Sequence, residues 1–139
     1  MPRELRKGSS GLVGVNGVGS GIPANIDPLA GALATAGAGT LTVGVLAGDL
    51  VYRTGPAGAY TDTSDTAANI EASFGAGMDI GDSKLIMFSN QVAQVATIAG
   101  GTGVTLSSTK STIAASTVGW LLLKKTGAGA NAAYNLYVL

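Results

Sequence analysis

The sequence predicts a mainly β protein: an antiparallel β-sandwich or jelly-roll-like domain over residues 40–139 with one short helix, preceded by an extended glycine-rich N-terminal arm over residues 1–39. Three observations lead to this prediction. From residue 40 onward, short runs of apolar and β-branched residues recur along the chain. Turn signals separate these runs at about eight to twelve residues, a spacing typical of all-β folds. No strand pattern alternates with a long helical pattern, so parallel βαβ units are not expected.

The predicted strands number about eight. Leucine and valine alternate with other residues along 41–45, as in a strand with one buried face. The run VGWLLLKK at 118–125 gives the strongest strand signal of the set. The predicted strands cover residues 41–45, 50–53, 84–90, 92–98, 104–106, 111–113, 118–125 and 134–139.

One short helix is predicted within the domain, over the run TAANIEASF at 66–74. The side chain of Thr63, Ser64 or Asp65 can accept a hydrogen bond from a free backbone N–H group of its first turn. Three residues fall on one helix face and are predicted to contact the core: Ala67, Ile70 and Phe74. A further short helix is possible over residues 27–37, because Asp27 can act as its N-cap and Pro28 suits its first position.

Trp120 lies within the predicted strand 118–125 and is predicted to belong to the core. The alternative is an exposed ring that stacks on a sugar or a base. Lys124 and Lys125 close the same run, and we expect them to mark its solvated end.

The charge composition argues against several classes of function. Lysine and arginine number 8, aspartate and glutamate number 8, and the net charge is zero, so no attraction to nucleic acid or to an anionic membrane is expected. Residues 28–48 carry no charge, but the glycines and the proline among them are unlike a membrane-spanning helix. The chain has no histidine and no cysteine, which lowers the expectation of catalysis and excludes thiolate metal sites.

Candidate chemical sites are weak, and we predict no enzyme activity and no cofactor. Asp62 with Asp65, and Asp79 with Asp82, are spaced so that each pair might hold calcium, but helix capping and turn formation account for them better. The run GSGIPA at 19–24 partly matches a dinucleotide-binding fingerprint, but it lacks the strand before it and the helix after it. Serine and threonine have no histidine to activate them.

Four stretches of the domain resemble a module found in tailed-phage structural proteins: GVLAGDLVYRTGPAGAYTDTSDTAANIEASF, IGDSKLIMFSN, ATIAGGTGVTLSSTKSTIAASTVGWLLLKKTG and YNLYVL. The shared features include an arginine-threonine strand end, a capped helix, a GTGVTL turn, an aliphatic strand and a tyrosine-bearing C-terminus. The module occurs in capsid decoration (cement) proteins and in head- or tail-fibre proteins. The resemblance covers roughly residues 41–139 and leaves the arm outside it.

The resemblance implies a non-enzymatic homotrimer on the outer surface of a virion, with the major capsid protein as its partner. The length of the chain and the lack of an internal repeat favour a decoration protein over a fibre. The alternative is the tip of a head or tail fibre that binds a receptor or a carbohydrate.

The arm is predicted to be ordered only against a partner, and the alternative is a disordered tail. Its glycines recur at every second or third position along 8–21, and spaced apolar residues suit an extended segment on a capsid surface. The predicted capsid-binding residues are Arg3, Leu5, Arg6, Lys7, Leu12, Val13, Val15, Ile22, Ile26 and Leu29.

Overall fold

The structure, a computed structural model, describes residues 31–139. The described part is mainly β, as predicted, and its strands form one six-stranded and one four-stranded sheet. No helix in this part is long and apolar enough to cross a membrane.

Ten strands and two α-helices follow one another within residues 31–139. The strands are β1 Ala32–Leu33, β2 Gly39–Leu41, β3 Leu50–Arg53, β4 Tyr60–Ser64, β5 Ser83–Asn90, β6 Ala96–Ala99, β7 Val104–Leu106, β8 Thr112–Ile113, β9 Val118–Gly127 and β10 Ala133–Val138. The helices are α1 Val43–Ala47 and α2 Ala67–Ser73, and short 3-10 turns lie at Gly75–Gly77 and Gly129–Asn131.

The first six strands alternate between the two sheets. β1, β3 and β5 lie side by side in the six-stranded sheet, β2, β4 and β6 lie side by side in the four-stranded sheet, and all four of these pairings are parallel. The chain therefore winds as three short coils of a two-sheet solenoid. No sequence repeat reveals this winding, because α2 is inserted between β4 and β5 and makes the coils unequal in length.

The prediction of antiparallel sheets is wrong. Both sheets are mixed: five strand pairings are parallel, and β5–β9, β9–β10 and β6–β8 are antiparallel. Short connections suggested hairpins, but here they carry the chain from one sheet to the other. Parallel neighbours need a long crossover, and a strand in the opposite sheet supplies it.

The two sheets share one hydrophobic core. From the six-stranded sheet it includes Val51, Ile86, Phe88, Leu121, Leu123, Tyr134 and Leu136, and from the four-stranded sheet Leu41, Tyr60, Ala96, Ile98 and Ile113. Helix α2 adds Ala67 and the fully buried Ile70, and Phe74 packs against the cluster while partly exposed.

Helix α2 begins after Thr66, whose side chain accepts a hydrogen bond from the backbone N–H of Asn69 at 3.1 Å. The N-cap thus lies one residue beyond the last of the three predicted candidates. Asp65 assists it by accepting from the Thr66 N–H at 2.8 Å. The existence of this helix is confirmed.

Helix α1 occupies part of a stretch that was predicted as a strand, so the fold has two helices instead of one. The Thr42 side chain accepts from the Val45 N–H, and Asp65 accepts from the Val43 N–H at 3.2 Å. This second contact crosses from a distant part of the chain. The alternation of valine and leucine along 41–45 cannot reveal a helix that is supported by such a distant contact.

Residues 31–39 belong to the folded unit and do not form the predicted helix over 27–37. β1 pairs with β3, β2 pairs with β4, and the N–H of Gly39 donates to Asp62. Residues 31–39, which the prediction assigned to the arm, thus pair with strands of the domain. The part of the arm that lies before residue 31 is outside the described residues.

Candidate interaction surface and buried ion clusters

Strand β9 is apolar on both of its faces. Gly119, Leu121 and Leu123 point into the core, whereas Val118 and Trp120 point out of it. Trp120 is 39% exposed, so its prediction as a core residue is wrong. An alternating strand has two faces, and on β9 both are hydrophobic, so alternation alone cannot indicate which face is buried.

Outward-pointing side chains from four neighbouring strands line up with this face of β9. Met87 lies opposite both Leu50 on β3 and Trp120 on β9, and Leu122 lies opposite both Leu85 and Tyr137. We call the resulting surface the outer apolar face. It consists of Leu50, Tyr52, Leu85, Met87, Val118, Trp120, Leu122, Tyr137 and Leu139.

The outer apolar face is accessible and nearly free of charge. Leu85 is 48% and Val118 is 54% exposed. Among the outward-pointing residues of β3, β5, β9 and β10, Lys124 carries the one charge, and it lies near the end of its strand. A surface of this kind suits an apolar partner and not a nucleic acid.

The outward face of the four-stranded sheet has a different chemistry. Thr40 lies opposite Thr63, and Thr97 lies opposite both Thr61 and Thr112. All five threonines are exposed or half-buried. We call this surface the threonine face. Its hydroxyl groups can hydrogen-bond to water, which aliphatic side chains cannot do.

Arg53 is fully buried between the two sheets. Its guanidinium donates to both Asp62 carboxylate oxygens, at 2.7 and 3.0 Å, and lies 4.7 Å from the centre of the Tyr60 ring. Its remaining N–H groups donate to four backbone carbonyls, those of Leu33, Thr35, Gly37 and Thr54. Arg53 therefore ties the chain between β1 and β2 to the body of the protein.

Tyr60 extends this cluster to the far side of the core. Its hydroxyl donates to the Asn90 side chain at 2.8 Å, and the Asn90 amide group donates in turn to the carbonyls of Gln94 and Ala114. Burial, together with the negative charge of Asp62, raises the pKa of Tyr60 to about 12. The hydroxyl is thus held as a neutral hydrogen-bond donor.

A second buried cluster surrounds Lys125. Lys124 is exposed, as predicted for a solvated strand end, but Lys125 is buried, because its side chain lies on the inner face of the sheet and reaches Glu71. Its ammonium group lies 3.0 Å from a Glu71 oxygen and donates to the carbonyls of Gly75 and Met78. A Cβ at Gly75 would overlap the Tyr134 hydroxyl, so this close approach requires glycine.

The Glu71 carboxylate accepts hydrogen bonds from three donors in the same cluster. They are the backbone N–H of Gly129 at 3.0 Å, the Tyr134 hydroxyl at 2.7 Å and the Lys125 ammonium group. These hydrogen bonds, that of Gly129 first, lower the pKa of Glu71 to about 2. Burial, and then the bond to Glu71, raises the pKa of Tyr134.

Both clusters serve to hold the fold. The guanidinium of Arg53 cannot act as a base, and the three N–H bonds of Lys125 are directed at three oxygen acceptors. Among residues 31–139, no group of three or more acidic, histidine or cysteine side chains is placed to hold a metal ion. Asp65 lies at the start of α2, as predicted, but Asp62 caps no helix in the described part and pairs with Arg53 instead. Asp79 and Asp82 form a turn, as predicted.

The three predicted core residues divide between interior and surface. Ile70 is buried and Phe74 is partly buried, whereas Trp120 lies on the outer apolar face. Sequence reasoning missed the burial of Arg53 and Lys125. The sequence did contain a signal for the burial of Arg53. This arginine ends a predicted strand, and after Gly55 the chain supplies Asp62, a carboxylate that can pair with it. The ten predicted capsid-binding residues all lie outside the described residues.

Comparisons of the chain with models of known protein families, with curated proteins and with solved structures gave no match.

Proposed function

We propose that this chain is a non-enzymatic structural protein of a tailed-phage virion, a capsid decoration (cement) protein that binds the outer surface of the head and stabilises the capsid lattice. The observation that carries the proposal is the outer apolar face. It lies on a charge-poor β unit whose buried ionisable clusters are both engaged in holding the fold. Such a unit is suited to assembly and not to chemistry.

The resemblance to phage modules supports the proposal independently. It covers roughly residues 41–139, which is nearly the whole of the described part. Because residues 31–39 belong to the folded unit, the attachment arm in this proposal is residues 1–30. Three such arms on a homotrimer would bind the major capsid protein more tightly than one, through effective concentration.

A second candidate function is supported by the exposure of Trp120. Tyr137 lies opposite Leu122, the outward residue next to Trp120 along β9, so two aromatic rings occupy the same surface. Aromatic rings with a polar edge bind carbohydrates well. On this alternative, the chain is the tip of a head or tail fibre that binds a receptor or glycan.

The test is the position of the chain on virions. Negative-stain images of purified virions labelled with an antibody against residues 40–139 should show label over the whole head. Label confined to the tail or to isolated fibres would support the second candidate. A chain absent from purified virions would overturn both.

A further inference from the structure

We infer that the outer apolar face is the surface through which copies of this chain pack against one another. The inference rests on the proposed function, because it names the partner of the same surface. It concerns the contact between subunits, however, and not the contact with the capsid.

The six-stranded sheet lacks a cover on one side. The inner face of this sheet packs on the common core. Within residues 31–139, no helix or strand lies over the outer face, since Leu85, Val118 and Trp120 remain exposed.

The outward surfaces of the two sheets differ in chemistry. On the four-stranded sheet, the outward positions of β2, β4, β6 and β8 carry mainly threonine, which is compatible with water. On the six-stranded sheet, the outward positions of β9 carry valine, tryptophan and leucine, followed by Lys124 and Thr126 toward the end of the strand. The same chain thus uses mainly polar outward residues on one sheet and mainly apolar outward residues along the first part of β9 on the other. Apolar surface gains free energy when it leaves water, and only the second sheet offers it.

The outer apolar face is also poor in charge. A surface that meets a copy of itself brings identical groups together, so like charges at its centre would repel. The outer apolar face has no carboxylate, and Lys124 lies near the end of β9. Ser83 and Asn135 lie opposite Lys124 on the neighbouring strands, so Lys124 belongs to a polar row that borders the face, whereas Val118 lies among the apolar positions. Two copies of this face can therefore meet without repulsion between like charges at the centre of the contact.

The outer apolar face also extends over a substantial area. Four strands at a spacing of about 4.8 Å, with a length near that of the eight-residue β5, span on the order of 20 by 25 Å. The flat area is thus about 500 Å², before the relief of the side chains is counted. This upper figure, which takes the length of β5 for all four strands, is more than half of the roughly 800 Å² that each partner contributes to a stable interface.

The experiment compares two valines of similar exposure. Val118 lies on the outer apolar face, whereas Val95 lies in the loop before β6 and is 46% exposed. Val118→Lys and Val95→Lys each add one charge at an accessible position. Sedimentation of the full chain should give a mass about three times that of the monomer. Val95→Lys should keep that mass, and Val118→Lys should reduce it to that of the monomer.

Trp120 supplies an independent readout, because it is the single tryptophan of the chain and lies on the face in question. Its fluorescence should be shielded from acrylamide in the assembly and in Val95→Lys. In Val118→Lys, the emission should shift to longer wavelength and become easily quenched. Circular dichroism should show the same fold in all three proteins. If Val118→Lys does not fold, Leu85→Lys tests the same face from β5.

Three results would overturn the inference. The first is a wild-type monomer at tens of micromolar, and the second is an assembly that both face variants leave intact. The third is a monomer in which Trp120 is shielded until residues 1–30 are deleted, which would show that the chain covers its own face. A dimer that Val118→Lys dissociates would support the inference and contradict the trimer.

The outcomes also separate this inference from the proposed function. A chain that coats virion heads but shows any of those three results would retain the proposed function alone. A chain that assembles through the outer apolar face but is absent from virions would retain the inference alone.

Discussion

At the scale of single residues, Glu71 is where the fold depends most directly on pH. Its carboxylate accepts hydrogen bonds from Gly129, Tyr134 and Lys125, which lower its pKa from 4.5 to about 2. A carboxylate with a lowered pKa stabilises the folded state above its unfolded pKa, and this contribution is lost as the pH falls toward the folded pKa. The relevant window is therefore pH 4.5 to about 2.

We expect Glu71→Gln to change the acid dependence of stability. The wild-type melting temperature should fall between pH 4.5 and 2 as Glu71 takes up a proton. The variant should melt at a lower temperature at pH 7 and show a shallower fall across the window. The melting temperature of the variant should still fall somewhat with pH, because hydrogen bonds from Asn69 and two backbone N–H groups lower the pKa of Asp65 as well.

The matched control is Asp79→Asn, which removes an exposed carboxylate from a turn. Its melting temperature should follow the wild-type profile over the same pH range. A Glu71→Gln profile parallel to that of the wild type would contradict the role assigned to Glu71.

At the scale of elements, the Arg53–Asp62 pair holds β1 and β2 in place. Arg53 contacts the carbonyls of the intervening chain, and Asp62 accepts from the Gly39 N–H at 3.0 Å. β1 has two residues and β2 has three, so their own ladders are short. The hydrogen bonds of the buried pair therefore add to the few ladder bonds that these short strands make.

We predict that Asp62→Asn will destabilise the protein by roughly 3–5 kcal/mol, because it leaves a buried guanidinium without its counter-charge. Urea unfolding measures this loss. Hydrogen exchange should increase first along residues 33–39, which depend on the pair.

Asp49→Asn is the control, because Asp49 pairs with Lys84 at 3.0 Å but is 92% exposed. Breaking that surface pair should cost about 0–1 kcal/mol. Equal losses for the two variants, or unchanged exchange along residues 33–39 in Asp62→Asn, would show that the buried pair does not hold this segment.

At the scale of the whole molecule, the folded unit and the proposed attachment arm can be separated at residue 31. The described backbone bonds of β1 and β2 join residues 31–41 to strands that lie later in the chain. A truncation that ends at residue 30 leaves these bonds intact, whereas one that ends at residue 39 removes β1 and three carbonyl partners of Arg53.

We predict different results for the two truncations. Deletion of residues 1–30 should preserve the wild-type melting temperature but abolish rebinding to capsids from which the chain has been stripped. Deletion of residues 1–39 should lower the melting temperature as well, because Arg53 loses acceptors inside the core.

Calorimetry and a capsid add-back assay measure the two effects separately. Full rebinding by the shorter truncation would assign the capsid contact to residues 31–139 and refute the arm. Equal melting temperatures for the two truncations would contradict the boundary at residue 31.

The sequence by itself determined the mainly β class, helix α2 and most strand positions. Runs such as 50–53, 84–90 and 118–125 contain a local signal, since alternating apolar residues and flanking turns act over a few residues. Thr66 and Asp65 lie next to the helix that they cap, so that signal is local too.

The tertiary structure alone decided the direction of strand pairing, the burial of Arg53 and Lys125, and the outward position of Trp120. Each depends on a partner far along the chain: β3 on β5, Arg53 on Asp62, and Lys125 on Glu71. Because β9 is apolar on both faces, its orientation follows from the strands beside it and the core beneath it. A hydrophobic side chain gains free energy when it leaves water, but the packing of the folded protein decides whether the chain itself or a partner covers that side chain.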